Sequence, residues 1–269
     1  MADLTLLNFS ALIALLPVSL AALWKPKAAD RIHWLLLMVA IAGPGLLLFY
    51  ISADGWQTDL STSIWVSIDA SLVLFAATCA LQPAAWRLRG LITPYMFVLA
   101  IFAVIWSHAA TDFTVLSPVF SSGWIAVHIF VSVTTYGLVT IAAVASLAAI
   151  LQERALKAKQ QTHWLRGLPA LADCDRLVMR LLWVSEAVLA LGLISGIAVQ
   201  IEDTSALFKL NHKSILSVTA FVVIGCLLFA HYRSGIRGRK AARLVLLGYL
   251  LLSLGYPGVK FVTDVLLAG

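Results

Sequence analysis

Apolar residues in this chain fall into eight blocks, at about 4–24, 33–51, 64–82, 90–109, 124–152, 177–200, 214–231 and 242–266, with polar connections between them. At about 1.5 Å of helical rise per residue, each block is long enough to cross a hydrocarbon core of about 30 Å. Strands of a membrane barrel would be shorter and would alternate apolar with polar residues, which these do not. The pattern predicts eight membrane-crossing helices. The fifth block exceeds what a bilayer needs, so it should tilt or project beyond the membrane. The stretch from Gln152 to Lys157 continues it, and Gly167, Leu168 and Pro169 are expected to break it, because a proline disfavours helix in the residue before it.

Composition agrees. Hydrophobic residues make up 61% of the 269 and charged residues 12%, about half the charged share of a soluble domain, which is roughly 25%. The fold class is therefore all-α, a polytopic membrane helix bundle, read as one integral membrane domain over 1–269.

The few charges carry an orientation. Sixteen of the nineteen Lys and Arg residues lie in alternate connections: 25–32, 83–89, 153–176 with Arg180 just after it, and 232–243. Segments 52–63 and 110–123 have none, and 201–213 has Lys209 and Lys213. Basic residues near helix ends stay on the cytoplasmic side. Both termini are therefore expected outside, in a multi-pass protein of the cell inner (plasma) membrane. The first block has no basic residue before it and Lys25 and Lys27 after it, the reverse of a cleaved signal, so it is expected to stay as a helix. The net charge of +6 then serves orientation and contact with anionic lipid, not nucleic acid, even at Arg237, Arg239 and Lys240. Cys79, Cys174 and Cys226 all fall on the cytoplasmic side of this topology, so no external disulfide is expected.

Ionisable groups inside a span cost several kcal/mol on most scales and need a reason. Asp69 and Glu186 are such groups. One reading makes them a cation or proton relay of a transporter; the other has each face the bundle interior, protonated or bonded to a hydroxyl such as Ser67 or Ser185. Gly43, Pro44 and Gly45 read as a helix interruption without a symmetric partner, whereas transporters usually break matched helices.

The histidines divide by face. His108, His128 and His212 come to the outer end of three spans, while His33, His163 and His231 belong to the inner side. Imidazole is the commonest metal ligand, and helix connectivity alone gives no reason for three to share a depth. Catalytic zinc favours close spacing such as two histidines four residues apart, and no Glu base lies beside these. Haem needs two axial ligands and apolar walls, so among metal readings haem fits the three outer histidines better than zinc. Trp56, Trp65, Trp106, Phe113, Phe120, Trp124, Phe130 and Phe208 offer aromatic walls at that end, although such residues also belt any membrane interface.

Four stretches resemble a known family in order. They are Trp124 to Gly137, which opens with His128 and continues through Ser132 and Tyr136; Gly167 to Arg176 with its Leu-Pro step; His212, Lys213 and Ser217 followed by His231 and Arg233; and Arg237 to Ala242 followed by Gly255 to Val259. Together, within about 90–269, they resemble the cytochrome c assembly protein family of CcsA and CcmC type, in its HemX-like, YpjD-like eight-span branch. The resemblance implies a haem-binding membrane protein of cytochrome c biogenesis that handles or delivers haem at the outer face. The haem would be b-type and non-covalent. By position, His128 matches the family's first outer ligand and His231 a histidine serving an inner site in some members; opposite His128, His212 is then the second metal ligand, with His108 as the alternative. Lys213 falls where the family's Trp-rich outer loop ends, and there it would pair with a propionate. That loop has no Trp here, and no histidine follows Val259. Haem-lyase catalysis is therefore not expected, and a binding or accessory role is. The implied partners are haem, membrane lipid, and other cytochrome c maturation proteins or a tetrapyrrole-synthesis enzyme. Regulation of tetrapyrrole synthesis through 153–176 is the alternative function, and a transporter subunit using Asp69 and Glu186 is another.

Overall fold

The computed structural model describes residues 2–23, 31–53, 56–57, 59–107, 115–116, 123–159, 165–204, 212–236 and 238–258. Eight helices run through them: α1 (Ala2–Leu23), α2 (Arg31–Ala53), α3 (Leu60–Leu81), α4 (Arg89–Ser107), α5 (Gly123–Lys157), α6 (Leu171–Thr204), α7 (His212–Ser234) and α8 (Arg239–Ser253). The first seven are long and apolar enough to cross a membrane. The eighth is followed by one π turn, Leu254–Gly258, and the rest of its apolar block lies outside the described residues. The chain is an all-α, multi-pass membrane protein. Two-residue strands β1 (Trp56–Gln57) and β2 (Val115–Leu116) pair antiparallel, Trp56 opposite Leu116, and tie the α2–α3 connection to the α4–α5 connection.

Local chemistry accounts for the helix ends and for one surprise inside. Asp59 caps α3 by accepting from the Thr62 amide at 3.0 Å. A six-residue 3-10 turn, Pro83–Leu88, leads into α4 with its proline at the first position, where the missing N–H costs nothing. The interruption expected at Gly43, Pro44 and Gly45 does not occur, since α2 is helical from Arg31 to Ala53. The glycine serves packing instead. A Cβ on Gly43 would lie 2.5 Å from Ala14 Cβ, so its absence lets α1 and α2 approach.

The α5–α6 connection also differs from expectation. Helix α5 stops at Lys157, ten residues before Gly167, and Lys159 turns the chain with φ at 52°. Helix α6 starts at Leu171, six residues ahead of its apolar block, once Ala170 O accepts from the Asp173 and Cys174 amides. The intervening Leu-Pro segment is held to α5 by one side chain. The Gln152 amide nitrogen donates to Leu165 O at 2.9 Å and lies 3.2 Å from Pro169 O.

Helix α5 is the centre. It packs on α3, α4, α6 and α8 and is buried on every side from Thr135 to Ser146. Around it, α1 packs on α2 and α4, and α7 packs on α8 and α6. Buried polar bonds fix the first four helices: Trp65 Nε1 donates to Asn8 Oδ1 at 2.8 Å, Ser19 Oγ to Thr93 O at 3.0 Å, and Ser61 Oγ to Ala103 O at 2.8 Å. The hydroxyls of Tyr95 in α4 and Tyr249 in α8 share a hydrogen bond, and Tyr136 in α5 joins Tyr249 at 3.2 Å.

Candidate functional site around His128

Helix α5 carries His128, Ser132, Thr135 and Tyr136 along one stripe, spaced so that they stack over two turns. Opposite them, α6 presents Gly192, Ser195 and Gly196, again three and four residues apart. This run of small residues leaves a groove into which the imidazole fits. A Cβ at Gly196 would stand 3.0 Å from His128 Cε1, so any larger residue would push the ring out.

The ring is also bonded. His128 Nδ1 lies 3.2 Å from Gly192 O and 3.1 Å from Ser195 Oγ, while Ser195 Oγ donates to the same carbonyl at 3.0 Å. A carbonyl can only accept, so the bond to Gly192 O forms in the tautomer with the proton on Nδ1. Nε2 then keeps its lone pair. Metal-bound histidines are oriented in this way by a bond from the second ring nitrogen to a backbone carbonyl. The half-buried ring borders a cavity of about 160 Å³. Apolar walls come from Leu189, Leu193 and Leu252, and hydroxyls from Ser132, Thr135, Tyr136 and Ser217. Ligand pockets usually start near 300 Å³. The cavity therefore matches one edge of a flat ligand, and a whole macrocycle would extend between the helices toward lipid. The residues present fit one imidazole ligand with an apolar slot beside it.

The other expected ligands stand differently. His212 and Lys213 open α7 in backbone, at the same end of the bundle as Ser217, but their side chains are outside what is described. His108 is outside the described residues altogether. His231 sits at the far end of α7, where its Nδ1 donates to Ile236 O at 2.8 Å and closes the turn toward α8. Among the described residues no three His, Cys, Asp or Glu side chains gather as a metal cluster.

The described aromatic side chains went elsewhere, while those of Trp56, Phe113, Phe120 and Phe208 lie outside what is described. Trp124 and Phe130 face outward, at 50% and 73% exposure, as interface residues do. Trp65 is fully buried on Asn8. Trp106 and Phe102 line a second, nearly apolar cavity of about 250 Å³ with Leu60, Ile64 and Leu99. Tyr136 borders both cavities and separates them.

The intramembrane acids are not brought together. Asp69 lies on α3, beside Gly45 of α2, and Glu186 on α6, beside Gly225 of α7. The hydroxyls expected to serve them bond to their own helices instead, Ser67 to Ser63 O and Ser185 to Leu182 O. A backbone carbonyl one turn back is the nearer acceptor for a helical serine. Asp69 Oδ1 and Glu186 Oε2 are thus buried without a hydrogen-bond partner.

Gly192, Ser195 and Gly196 were not among the expected site residues. Their small-residue spacing was readable, but nothing in the chain said which imidazole it would face.

The chain is 48% identical over 269 residues to an uncharacterized 28.8 kDa protein of Azospirillum brasilense, with 97% of each covered. It is 28% identical to the inner membrane protein YpjD of Escherichia coli over 142 residues, 52% of each. Protein HemX of Brevibacillus brevis is 24% identical over 148 residues, 55% of this chain and 54% of that one. No solved structure matches. The family model described as cytochrome C assembly protein matches residues 35–267, from within α2 to beyond α8. On that match the chain belongs to the cytochrome c assembly protein family.

Proposed function

We propose that this protein binds b-type haem non-covalently and handles it at the outer face of the bacterial inner membrane, with His128 as one axial ligand. The observation that carries this is the Nδ1 bond to Gly192 O, which leaves Nε2 as a free base beside an apolar slot. Family membership supports the identity of the group. Bound haem would supply an iron centre that takes imidazole nitrogen on its axis. The chain's own residues do the rest. Gly192 O and Ser195 hold the ring in one tautomer, Gly196 gives it room, and Leu189, Leu193 and Leu252 keep water away. Helix α7 brings His212 to the same end, which makes it the second ligand, with His108 as the alternative and Lys213 as the cation for a propionate. His231, whose Nδ1 is likewise bonded to a backbone carbonyl, Ile236 O, keeps Nε2 for an inner site. Both termini face outside, and residues 1–269 act as one domain.

Purified protein reconstituted with haem should show a bis-imidazole Soret band. His128→Ala should abolish it while the variant still elutes as the native species. Unchanged haem content in His128→Ala would remove His128 from the site.

A second reading rests on the two partnerless carboxyl oxygens of Asp69 and Glu186, which suit ion or proton transfer. It expects ion flux in proteoliposomes that falls when Glu186 becomes Gln. Without any flux, the acids are structural.

A further inference from the structure

Arg87 and Arg89 sit in one short connection and are read alike from sequence, as charges that orient the chain. The structure separates them. Arg87 is exposed, as orientation requires, whereas Arg89 is 5% exposed, and its two terminal nitrogens are buried with no hydrogen-bond partner. A guanidinium has five donors and stays charged at any working pH. Burying one unanswered costs several kcal/mol, far more than an orienting charge would return. Its visible compensation is a single ring: the Cζ atom lies 5.5 Å from the centre of Trp86. Trp86 is itself buried, and its indole N–H also lacks a hydrogen-bond partner. Trp34 stacks on it at 5.2 Å and His33 meets it edge-on at 6.2 Å. Two buried donor groups, one cationic, therefore share this spot without a hydrogen-bond partner among the described residues.

We propose that this spot binds the phosphate of an anionic phospholipid. The donors set the chemistry, because a guanidinium fork and an indole N–H match a tetrahedral oxyanion. The surroundings set the source. Ile32, Leu35 and Leu81, at 62, 66 and 82% exposure, line the neighbouring ends of α2 and α3 and offer acyl chains an apolar surface. The start of α2 and the α3–α4 connection stand where headgroups meet the protein. Basic pockets between helix ends bind such headgroups. The spot is covered in this structure, so binding requires the Arg89 side chain to turn aside far enough to admit a phosphate beside the Trp86 N–H. The proposal is independent of the haem reading.

The test uses purified full-length protein in a neutral detergent, stripped of lipid and titrated with phosphatidylglycerol, with binding read by native mass spectrometry. One phosphatidylglycerol should be retained per chain, and diacylglycerol, which has no phosphate, should not be. Arg89→Met should weaken retention roughly 10- to 100-fold, the range of a charge-assisted hydrogen-bond set. Trp86→Phe keeps the ring and removes the N–H, and should weaken it about fivefold. Arg87→Met should change it less than about twofold. Equal retention by wild type and Arg89→Met would overturn the proposal, as would retention of diacylglycerol. Should Arg89→Met fail to fold, unchanged affinity in Trp86→Phe would overturn it as well. Inorganic phosphate that raises Tm as far as phosphatidylglycerol does would refute the lipid as the source. Haem content equal to wild type in Trp86→Phe would show that the two sites stand or fall separately.

Discussion

Helices α1 to α4 and helices α6 to α8 flank the same central rod and hold to it by different means. On the first side, half of α3's apolar stretch is buried, and polar side chains bridge helix to helix at Asn8, Ser19 and Ser61. On the second side, only 22% of α7's stretch is buried, and hydroxyls and an imidazole gather round an open cavity. The first half bridges helix to helix with polar side chains, yet leaves Asp69, Trp86 and Arg89 unanswered among the described residues; the second lines a cavity with hydroxyls and an imidazole. Polar bonds between helices fix a scaffold, whereas a cavity lined by polar groups leaves room for a ligand or water. On the proposed haem reading, the working part lies on the second side and the first serves as its scaffold.

The contrast can be broken most sharply at the seam. Gly137 of α5 lies so close to α3 that a Cβ would fall 2.6 Å from Leu74 Cδ1. Gly137→Leu should lower stability by about 3 kcal/mol, the upper part of the overpacking range, and detergent thermal unfolding would register the drop. A smaller effect belongs to Trp65→Phe, which orphans Asn8 Oδ1 in a dry core. A loss of about 2 kcal/mol is expected in the same assay, with haem content kept; loss of haem there would deny that the halves divide their work. Gly196→Ala should act the other way round. Its methyl group displaces the His128 ring by a few tenths of an ångström, so Tm should hold while haem affinity falls about tenfold, roughly 1.4 kcal/mol. Least of all should come from Glu186→Gln. Its Oε2 has no hydrogen-bond partner among the described residues to lose, and an unfolding free energy within about 0.5 kcal/mol of wild type is expected in the thermal assay.

Hydropathy made the eight helices legible because lipid-facing length is a property of consecutive residues. Tertiary neighbours were not legible in that way. His128 could be picked out as a ligand candidate, but the carbonyl that sets its tautomer comes from a residue 64 positions later. The Leu-Pro segment was visible as a break, yet the helix before it ends at Lys157, because Gln152 anchors the returning chain. Pro44 misled in the opposite direction. Proline signals a stop in water, while in a bundle the neighbouring helices hold the segment straight. Arg89 was indistinguishable from Arg87, since burial depends on what Trp86 and Trp34 do three-dimensionally.

The unbroken course of α5 has a mechanical consequence. His128 and Gln152 ride on one 35-residue helix without a proline, about 36 Å apart at 1.5 Å per residue. A stiff shaft of that length has no hinge in which to absorb a twist. Turning the imidazole end would therefore drag the carbonyls that Gln152 grips, so the loop on one surface moves in step with the pocket near the other.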